Sequence, residues 1–293
     1  MDYQTYIHRI FPDSKIQKIS VNAGFTCPNR DGSIGYGGCI YCRNDSFTPS
    51  YCLTGDTVEA QIEKGKKFFS KKYKDMKFLA YFQSYTSTYG KDLTSITQLY
   101  EEALACKDVV GLVVGSRPDT LSLPLLDYFE KLNRVKPVFL EIGAESSHDS
   151  TLGLINRGHK WDDVVRAVEE AHSRNIHCGL HLIAGLPGED KEMILDNVRN
   201  ACKLSIETIK LHQLQILKDT PLHRKWLTGE IDVKPYTLEE YLDLCISIYN
   251  IVPNSIVIER FLAQSPTNLV VAPKWGLKNY QFMNLLKNRL KNP

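Results

Sequence analysis

HCGLHLI (177–183), AGLPGED (184–190) and KEMILDNVRNAC (191–202) are consecutive pieces of one stretch, His177 to Cys202. The first is a short apolar run of strand type. The second contains Pro187-Gly188, a turn signal. The third places apolar residues at helical period. The same strand–turn–helix unit recurs along the chain. Further β-rich runs lie at 18–22, 78–82, 109–114, 138–142, 208–214 and 255–259. Helical stretches lie at 57–71, 93–106, 123–132, 162–173 and 238–251. Asp162 and Asp163 suit the positive end of a helix dipole, and Thr237 with Glu240 reads as a capping box. Such alternation predicts an α/β fold: a parallel sheet with helices outside, either an open doubly wound sheet or a partial or full parallel (β/α) barrel. Both architectures put chemistry at the carboxyl ends of the strands.

With 293 residues, 43% of them hydrophobic and 24% charged, the chain has enough apolar surface for a substantial core. Lys plus Arg (36) nearly balance Asp plus Glu (34), for a net charge of +2, which argues against a bulk polyanion binder. No apolar run approaches the ~20 residues that span a bilayer, and MDYQTYIHRIFPD at the N-terminus lacks the pattern of a secretory signal. The expected location is cytoplasmic, with no membrane partner. Eight cysteines in that compartment are read for metal or redox chemistry, not as disulfides.

After the first strand comes Cys27-Pro-Asn-Arg-Asp-Gly-Ser-Ile-Gly-Tyr-Gly-Gly-Cys39-Ile-Tyr-Cys42. Cys39 and Cys42 can serve one metal centre from a single turn. Gly32, Gly35, Gly37 and Gly38 let the backbone fold tightly around something bulky. Soft thiolates at this spacing select zinc or an iron–sulfur cluster. A closed zinc site, as in a zinc-stabilised binding module, needs a fourth protein ligand, for which Cys52 and His8 are the candidates. Three cysteines without a second CxxC suggest instead a cluster with one iron left open. Cys106, Cys178, Cys202 and Cys245 lie in apolar elements and read as small hydrophobes.

This loop, with Tyr41 before the last cysteine, resembles the radical S-adenosylmethionine superfamily. The usual spacing there is C-x3-C-x2-C. The longer first gap is similar to the YtqA/YhcC-like branch, related to the radical domain of the Elongator catalytic subunit. FQSYTSTY (82–89), GSRPD (115–119), INRGH (155–159), LIAGLPGE (182–189) and APKW (272–275) look like the same branch. The resemblance implies one radical SAM barrel domain over 1–293, with the cysteine loop at 24–52 and a C-terminal extension from about 262. It implies that Cys27, Cys39 and Cys42 hold a [4Fe–4S] cluster and that S-adenosylmethionine chelates the open iron. Reductive cleavage then releases a 5′-deoxyadenosyl radical, with an electron donor such as flavodoxin or ferredoxin. For S-adenosylmethionine, Arg157 suits the carboxylate through its planar fork, and Glu145, where relatives often carry Gln, suits the ribose hydroxyls. Backbone groups at Gln83, Ser84 and Tyr85 suit the ammonium. Tyr41 suits the adenine edge, and His181 can face the nucleoside.

Plainer roles are available for the same residues. Arg157 can end a helix with Asn156 and Gly158, His181 can be a satisfied interior histidine, and Glu141 and Arg117 can pair with each other or at the rim. Tyr85 and Tyr89 can be packing residues. On the substrate side, Lys210, His212, Gln213, Gln215, Lys218, Glu259, Arg260 and Lys274 are expected at the mouth opposite the cysteine loop. The resemblance suggests a tRNA substrate and wobble-uridine modification, with a protein side chain or a metabolite as the alternative. The stretch of Lys64, Lys66, Lys67, Lys71, Lys72, Lys74 and Lys77, with Phe68, Phe69 and Tyr73, reads as an amphipathic helix with lysines outside and aromatics inside. A phosphate-binding face is its other reading.

Overall fold

A computed structural model of the protein describes residues 3–52, 55–70 and 76–291. Seven strands form one sheet: β1 (Lys15–Val21), β2 (Met76–Phe82), β3 (Val109–Ser116), β4 (Val138–Glu145), β5 (His177–Ala184), β6 (Thr208–Gln213) and β8 (Val257–Arg260). Their order is β1-β2-β3-β4-β5-β6-β8, and every neighbouring pair is parallel. The sheet is a curled half-barrel, which settles the choice between a doubly wound sheet and a barrel. Among the described residues β1 and β8 share no backbone ladder. Across that seam, however, Lys18 Nζ on β1 lies 2.9 Å from Glu259 Oε1 on β8.

Alternation along each strand sorts side chains into two cores. Phe78, Ala80 and Phe82 of β2, Leu112 and Val114 of β3, and Leu140, Ile142 and Ala144 of β4 face outward and pack under the helices. Those helices are α2 (Val58–Ser70), α3 (Leu93–Ala105), α4 (Leu123–Asn133), α6 (Trp161–Ser173), α7 (Lys191–Cys202) and α9 (Leu238–Ile251). Leu79, Tyr81, Val113 and Phe139 face inward. There they meet Ile7 of α1 (Tyr3–Ile10), a helix the strand–helix alternation does not announce. Tyr6 Oη is 3.4 Å from the ring of His177, the first residue of β5, so α1 closes the amino end of the barrel.

Local signals behave as their chemistry dictates. Thr237 and Glu240 form the reciprocal capping box of α9, and Asp190 caps α7 by accepting from Met193 N at 2.9 Å. The short α5 (Asp149–Leu154) precedes the cysteine-loop contact. After β6 come β7 (Ile216–Leu217), α8 (Pro221–Leu227), β9 (Val270–Ala272), which pairs antiparallel with β7, and α10 (Asn279–Lys291). Of the lysine-rich stretch, Lys71, Lys72, Tyr73 and Lys74 lie outside the described residues. On α2, Phe69 packs against the core. Phe68 is exposed, a departure from the expected aromatic inner face, and instead rests against the rings of Tyr51 and Phe69. No helix among the described residues is long and apolar enough to cross a membrane.

Candidate functional site

The carboxyl ends of the strands surround a cavity of about 250 Å³. Cys27, Cys39 and Cys42 all lie on its wall, together with Gln83, Arg117, Glu145 and Gln213 from the ends of β2, β3, β4 and β6 and His181 from within β5. The strand-end rule therefore brings one cysteine loop and five segments, separated in sequence, to one place. Cys52 does not join them. Its thiol is buried and donates to Ser20 O at 2.9 Å, and burial pushes its pKa up to about 12. His8 is exposed on α1, at the other end of the strands. Neither candidate for the fourth protein ligand of a closed zinc site therefore stands with the three cysteines.

The cysteine loop is held by its own backbone and by its neighbours. Cys42 N donates to Cys39 O at 3.0 Å, Ile40 N to Ile155 O at 3.0 Å, and Leu222 N to Ile40 O at 2.8 Å. Asn156 Nδ2 donates to Gly38 O at 2.9 Å. Asn29, only 1% exposed, directs its Nδ2 to Asn156 O and, at 3.8 Å, to Cys39 Sγ. A Cβ on Gly35 would lie 2.4 Å from Asn29 Oδ1, so the loop closes around that amide only with glycine there. Burial, with Cys39 beside it, pushes the Cys42 thiol up to about 12.

Arg157 ends a helix with its backbone and lines the cavity with its side chain. Its backbone N donates to Leu152 O at 2.9 Å while Asn156 N donates to Gly153 O at 3.1 Å, and Asn156 has φ +53°, so the segment is the Schellman end of α5. Its side chain is buried on the cavity wall. Nε donates to His159 Nε2 at 2.9 Å, Nη2 to Gly143 O at 2.6 Å, and Nη1 to Cys39 Sγ at 3.5 Å, while Nη2 lies 3.3 Å from Glu145 Oε1. One of five N–H groups is left uncommitted. Gly143 makes this possible, because a Cβ there would sit 2.6 Å from Arg157 Nη2. Burial first, then the charges of Arg157 and Arg117, lower His159 to about 3, so it meets the guanidinium as a neutral ring. Arg117 does not pair with Glu141. Its fork takes Asp119 at 2.8 and 2.7 Å, and Nη1 donates to Arg157 O at 2.7 Å. One guanidinium thus anchors the backbone that carries the next.

The other anticipated residues divide clearly. Tyr41, Gln83, Tyr85, Glu145 and His181 line the cavity, whereas Ser84 is buried beside it and is not on the wall. Tyr85 (φ +56°) and Glu145 (φ +66°) hold left-handed backbone, which costs a non-glycine residue about 1 kcal/mol or more and concentrates at working sites. Tyr85 is exposed under the Arg30 guanidinium, 5.5 Å from its ring, and is not a packing residue. Tyr89 is half-buried, with its hydroxyl 2.5 Å from Ser33 Oγ. Gln83 Nε2 donates to Ser20 Oγ at 2.9 Å and Phe47 O at 3.0 Å. Arg30 and Thr86 also face the cavity, and nothing in the local pattern marks them.

Beneath the cavity the barrel interior is ionic. Glu141 accepts from Lys18 Nζ at 2.7 Å, Lys210 Nζ at 2.6 Å, Tyr81 Oη at 2.5 Å and His181 Nε2 at 2.9 Å. Burial alone would raise this carboxyl, but Lys18 and Lys210 outweigh it and hold Glu141 well below the usual range. Lys210 is lowered to about 8 by burial, against the pull of Glu141 and Glu259. Lys210 and Glu259 therefore support the floor and are not at the mouth, where the sequence pattern puts them. Lys218 and Lys274 are also off the wall, while His212, Gln213, Gln215 and Arg260 are on it.

The Radical SAM superfamily profile matches residues 24–201, and the Radical_SAM C-terminal domain profile matches 206–292. The uncharacterized protein YtqA of Bacillus subtilis is 30% identical over 278 residues, covering 95% of this chain and 85% of YtqA. Protein YhcC of Escherichia coli is 32% identical over 262 residues, covering 89% and 82% of the two chains. A tRNA uridine(34) acetyltransferase of Methanocaldococcus infernus is 26% identical over 166 residues, covering 55% of this chain and 30% of that protein. In fold, the chain superposes on the archaeal Elp3 of Methanocaldococcus infernus with a TM-score of 0.67 at 18% identity, over 95% of this chain and 63% of that one.

Proposed function

The chain belongs to the radical SAM superfamily, in its YtqA/YhcC-like branch, and from that premise we propose that its rim cavity remodels a tRNA wobble uridine by radical chemistry. The observation that carries the reading is the presence of three cysteines on one cavity wall, facing the ends of five other strands. The donor set fits the family's [4Fe–4S] cluster. Three thiolates would each hold one iron, and the N–H groups of Asn29 and Arg157 that point at Cys39 Sγ would offset the negative charge of that thiolate. When bound, the cluster and S-adenosylmethionine supply a 5′-deoxyadenosyl radical that takes a hydrogen atom from substrate.

The protein's own residues bind and orient. In this reading Arg157 meets the carboxylate of S-adenosylmethionine through its remaining N–H, not through a free fork, because the rest of its guanidinium holds Gly143, His159 and Cys39. Glu145 accepts from the ribose hydroxyls, and Tyr41 takes the adenine edge. Backbone carbonyls around Gln83, Ser84 and Tyr85 accept from the ammonium. His181, fixed by Glu141, presents a neutral ring edge to the nucleoside. Burial first, then the charge of Lys210, lowers the pKa of His181 and outweighs the carboxylate, which keeps a second proton off the ring. The single domain expected over 1–293 is retained as part of the proposal, as is an external one-electron donor such as flavodoxin or ferredoxin.

The tRNA assignment rests on the 26% likeness to a protein named for uridine 34 and the TM-score of 0.67 to an Elp3 fold. Anaerobic reconstitution is expected to load about four irons per chain, and dithionite with S-adenosylmethionine is expected to release 5′-deoxyadenosine. Iron-loaded protein that releases none refutes the radical reading. A deletion strain is expected to lose a modified wobble nucleoside from bulk tRNA. An unchanged nucleoside profile moves the substrate to a protein side chain or a metabolite.

A further inference from the structure

We propose that Arg260, with His212 beside it, is an oxyanion subsite on the cavity wall opposite the cysteine loop, and that the substrate presents a carboxylate or phosphate to it. The inference deepens the proposed function and rests on it for the purpose of the cavity, though not for the cavity's charge.

The argument begins with register. Thr208 pairs with Val257 and Ile209 with Ile258, but Lys210 pairs with Arg260, so Glu259 is an extra residue in β8. In a regular strand, consecutive side chains face opposite sides. A bulge breaks the alternation and re-aims one of them. Here Glu259 turns inward to Lys18 and Lys210, and Arg260 also turns inward, onto the cavity wall. Without the extra residue one of the two would face the helices.

Charge accounting leaves Arg260, opposite the cysteine loop, and Arg30, on that loop, as the cavity arginines without a carboxylate among the described residues. Below it, Lys18 and Lys210 face Glu141 and Glu259, two cations against two anions. Of the other cavity arginines, Arg43 pairs with Asp45 and Asp219, Arg117 with Asp119, and Arg157 with Glu145, while Arg30, on the cysteine-loop side, lies over the Tyr85 ring without a carboxylate partner among the described residues. Arg260 has no carboxylate partner among the described residues. Its Nε donates to His212 Nε2 at 3.0 Å. That bond orients the guanidinium plane, and neither terminal nitrogen meets a protein acceptor among the described residues. A guanidinium oriented through Nε with its terminal N–H groups open matches a two-oxygen anion. Burial, with Arg260 next to it, keeps His212 neutral and well below its usual range, so the ring accepts from the guanidinium and does not compete for the anion. His181, Gln213 and Gln215 flank the site. Both glutamines are oriented by the 263–265 segment through Gln213 Oε1 to Ala263 N at 2.7 Å and Gln215 Oε1 to Ser265 Oγ at 2.7 Å.

The test uses calorimetric titration of the full chain with inorganic phosphate and, separately, with acetate. Saturable binding of at least one anion is expected, weakened at least about tenfold in Arg260→Gln. Arg260→Lys keeps the charge without the fork and is expected to fall between the two, and it stands in should the glutamine variant not fold. Arg199→Gln, on the outer face of α7, is expected to bind as the unaltered protein does. The stronger of the two anions identifies the group that the substrate carries. Binding that is equal in Arg260→Gln and the unaltered protein overturns the subsite, as does failure of both anions to saturate. A failed 5′-deoxyadenosine assay with intact, Arg260-dependent anion binding would instead count against the radical reading alone.

Discussion

Replacing Glu141 with Gln keeps shape and removes one charge from the barrel interior. Its side chain is 6% exposed and is the shared partner of Lys18, at 2.7 Å, and Lys210, at 2.6 Å. After the substitution both ammonium groups depend on Glu259, at 2.9 Å from Lys18 and 3.3 Å from Lys210. Two buried cations then share one anion. Breaking a buried pair by removing one partner costs about 3–5 kcal/mol, because an uncompensated charge stays behind. The amide can still accept from Tyr81 Oη, so the lower half of that range applies. At roughly 2–4 °C per kcal/mol for a chain of this size, the expected fall in Tm is about 6–16 °C. Urea denaturation, followed by circular dichroism under reducing conditions, measures the same loss at constant m-value. The double variant Glu141→Gln/Lys210→Met removes the stranded cation and is expected to recover more than about 1 kcal/mol relative to additivity. A loss below about 1 kcal/mol in the single variant, or strict additivity in the cycle, would refute the idea that this network is one coupled unit.

Acid titration follows from the same cluster. Glu141 and Glu259, each penalised by burial but held down by Lys18 and Lys210, have folded pKa values below the usual 4.5. Their stabilisation is therefore present above about pH 4.5 and is lost as the pH falls through the lowered values, and Glu141→Gln is expected to flatten that acid limb of urea midpoint against pH. Arg117→Gln leaves Asp119 without its bidentate partner and frees the Arg157 carbonyl, so a loss of about 3 kcal/mol is expected. A urea-midpoint change equivalent to less than about 1 kcal/mol would count against that anchoring role. Cys39→Ala is expected to abolish cluster loading, read as iron per chain, while leaving far-ultraviolet circular dichroism unchanged. Global unfolding of that variant would mean that the loop supports the barrel as well as the metal.

The strands were readable where polar side chains are few. VVGLVVG announces β3 because Val109, Leu112, Val113 and Val114 are all buried. β1 begins at Lys15, three residues before the expected start, because Lys15 and Gln17 break the apolar run. The cysteine loop and the strand-end motifs were legible because residue type and spacing carry their chemistry. The interior was not. Lys210 and Glu259 look like mouth residues in a linear pattern, and only the curl of the sheet brings Glu259 between Lys18 and Lys210. Ser84 adjoins two wall residues, yet it lies in the bend after β2 and is buried off the wall. The role of Arg260 depends on a one-residue register shift, which no composition or period reveals.

Among the described residues the seam between β1 and β8 is bridged by an ammonium–carboxylate clasp, with no rungs of peptide hydrogen bonds. A half-barrel bridged in this way holds its edge strands together through side chains. Prising it apart breaks side-chain contacts and leaves all six parallel ladders whole, so the line between β1 and β8 is where it opens most easily. A bulky reactant that strains the rim would deform it at that line first.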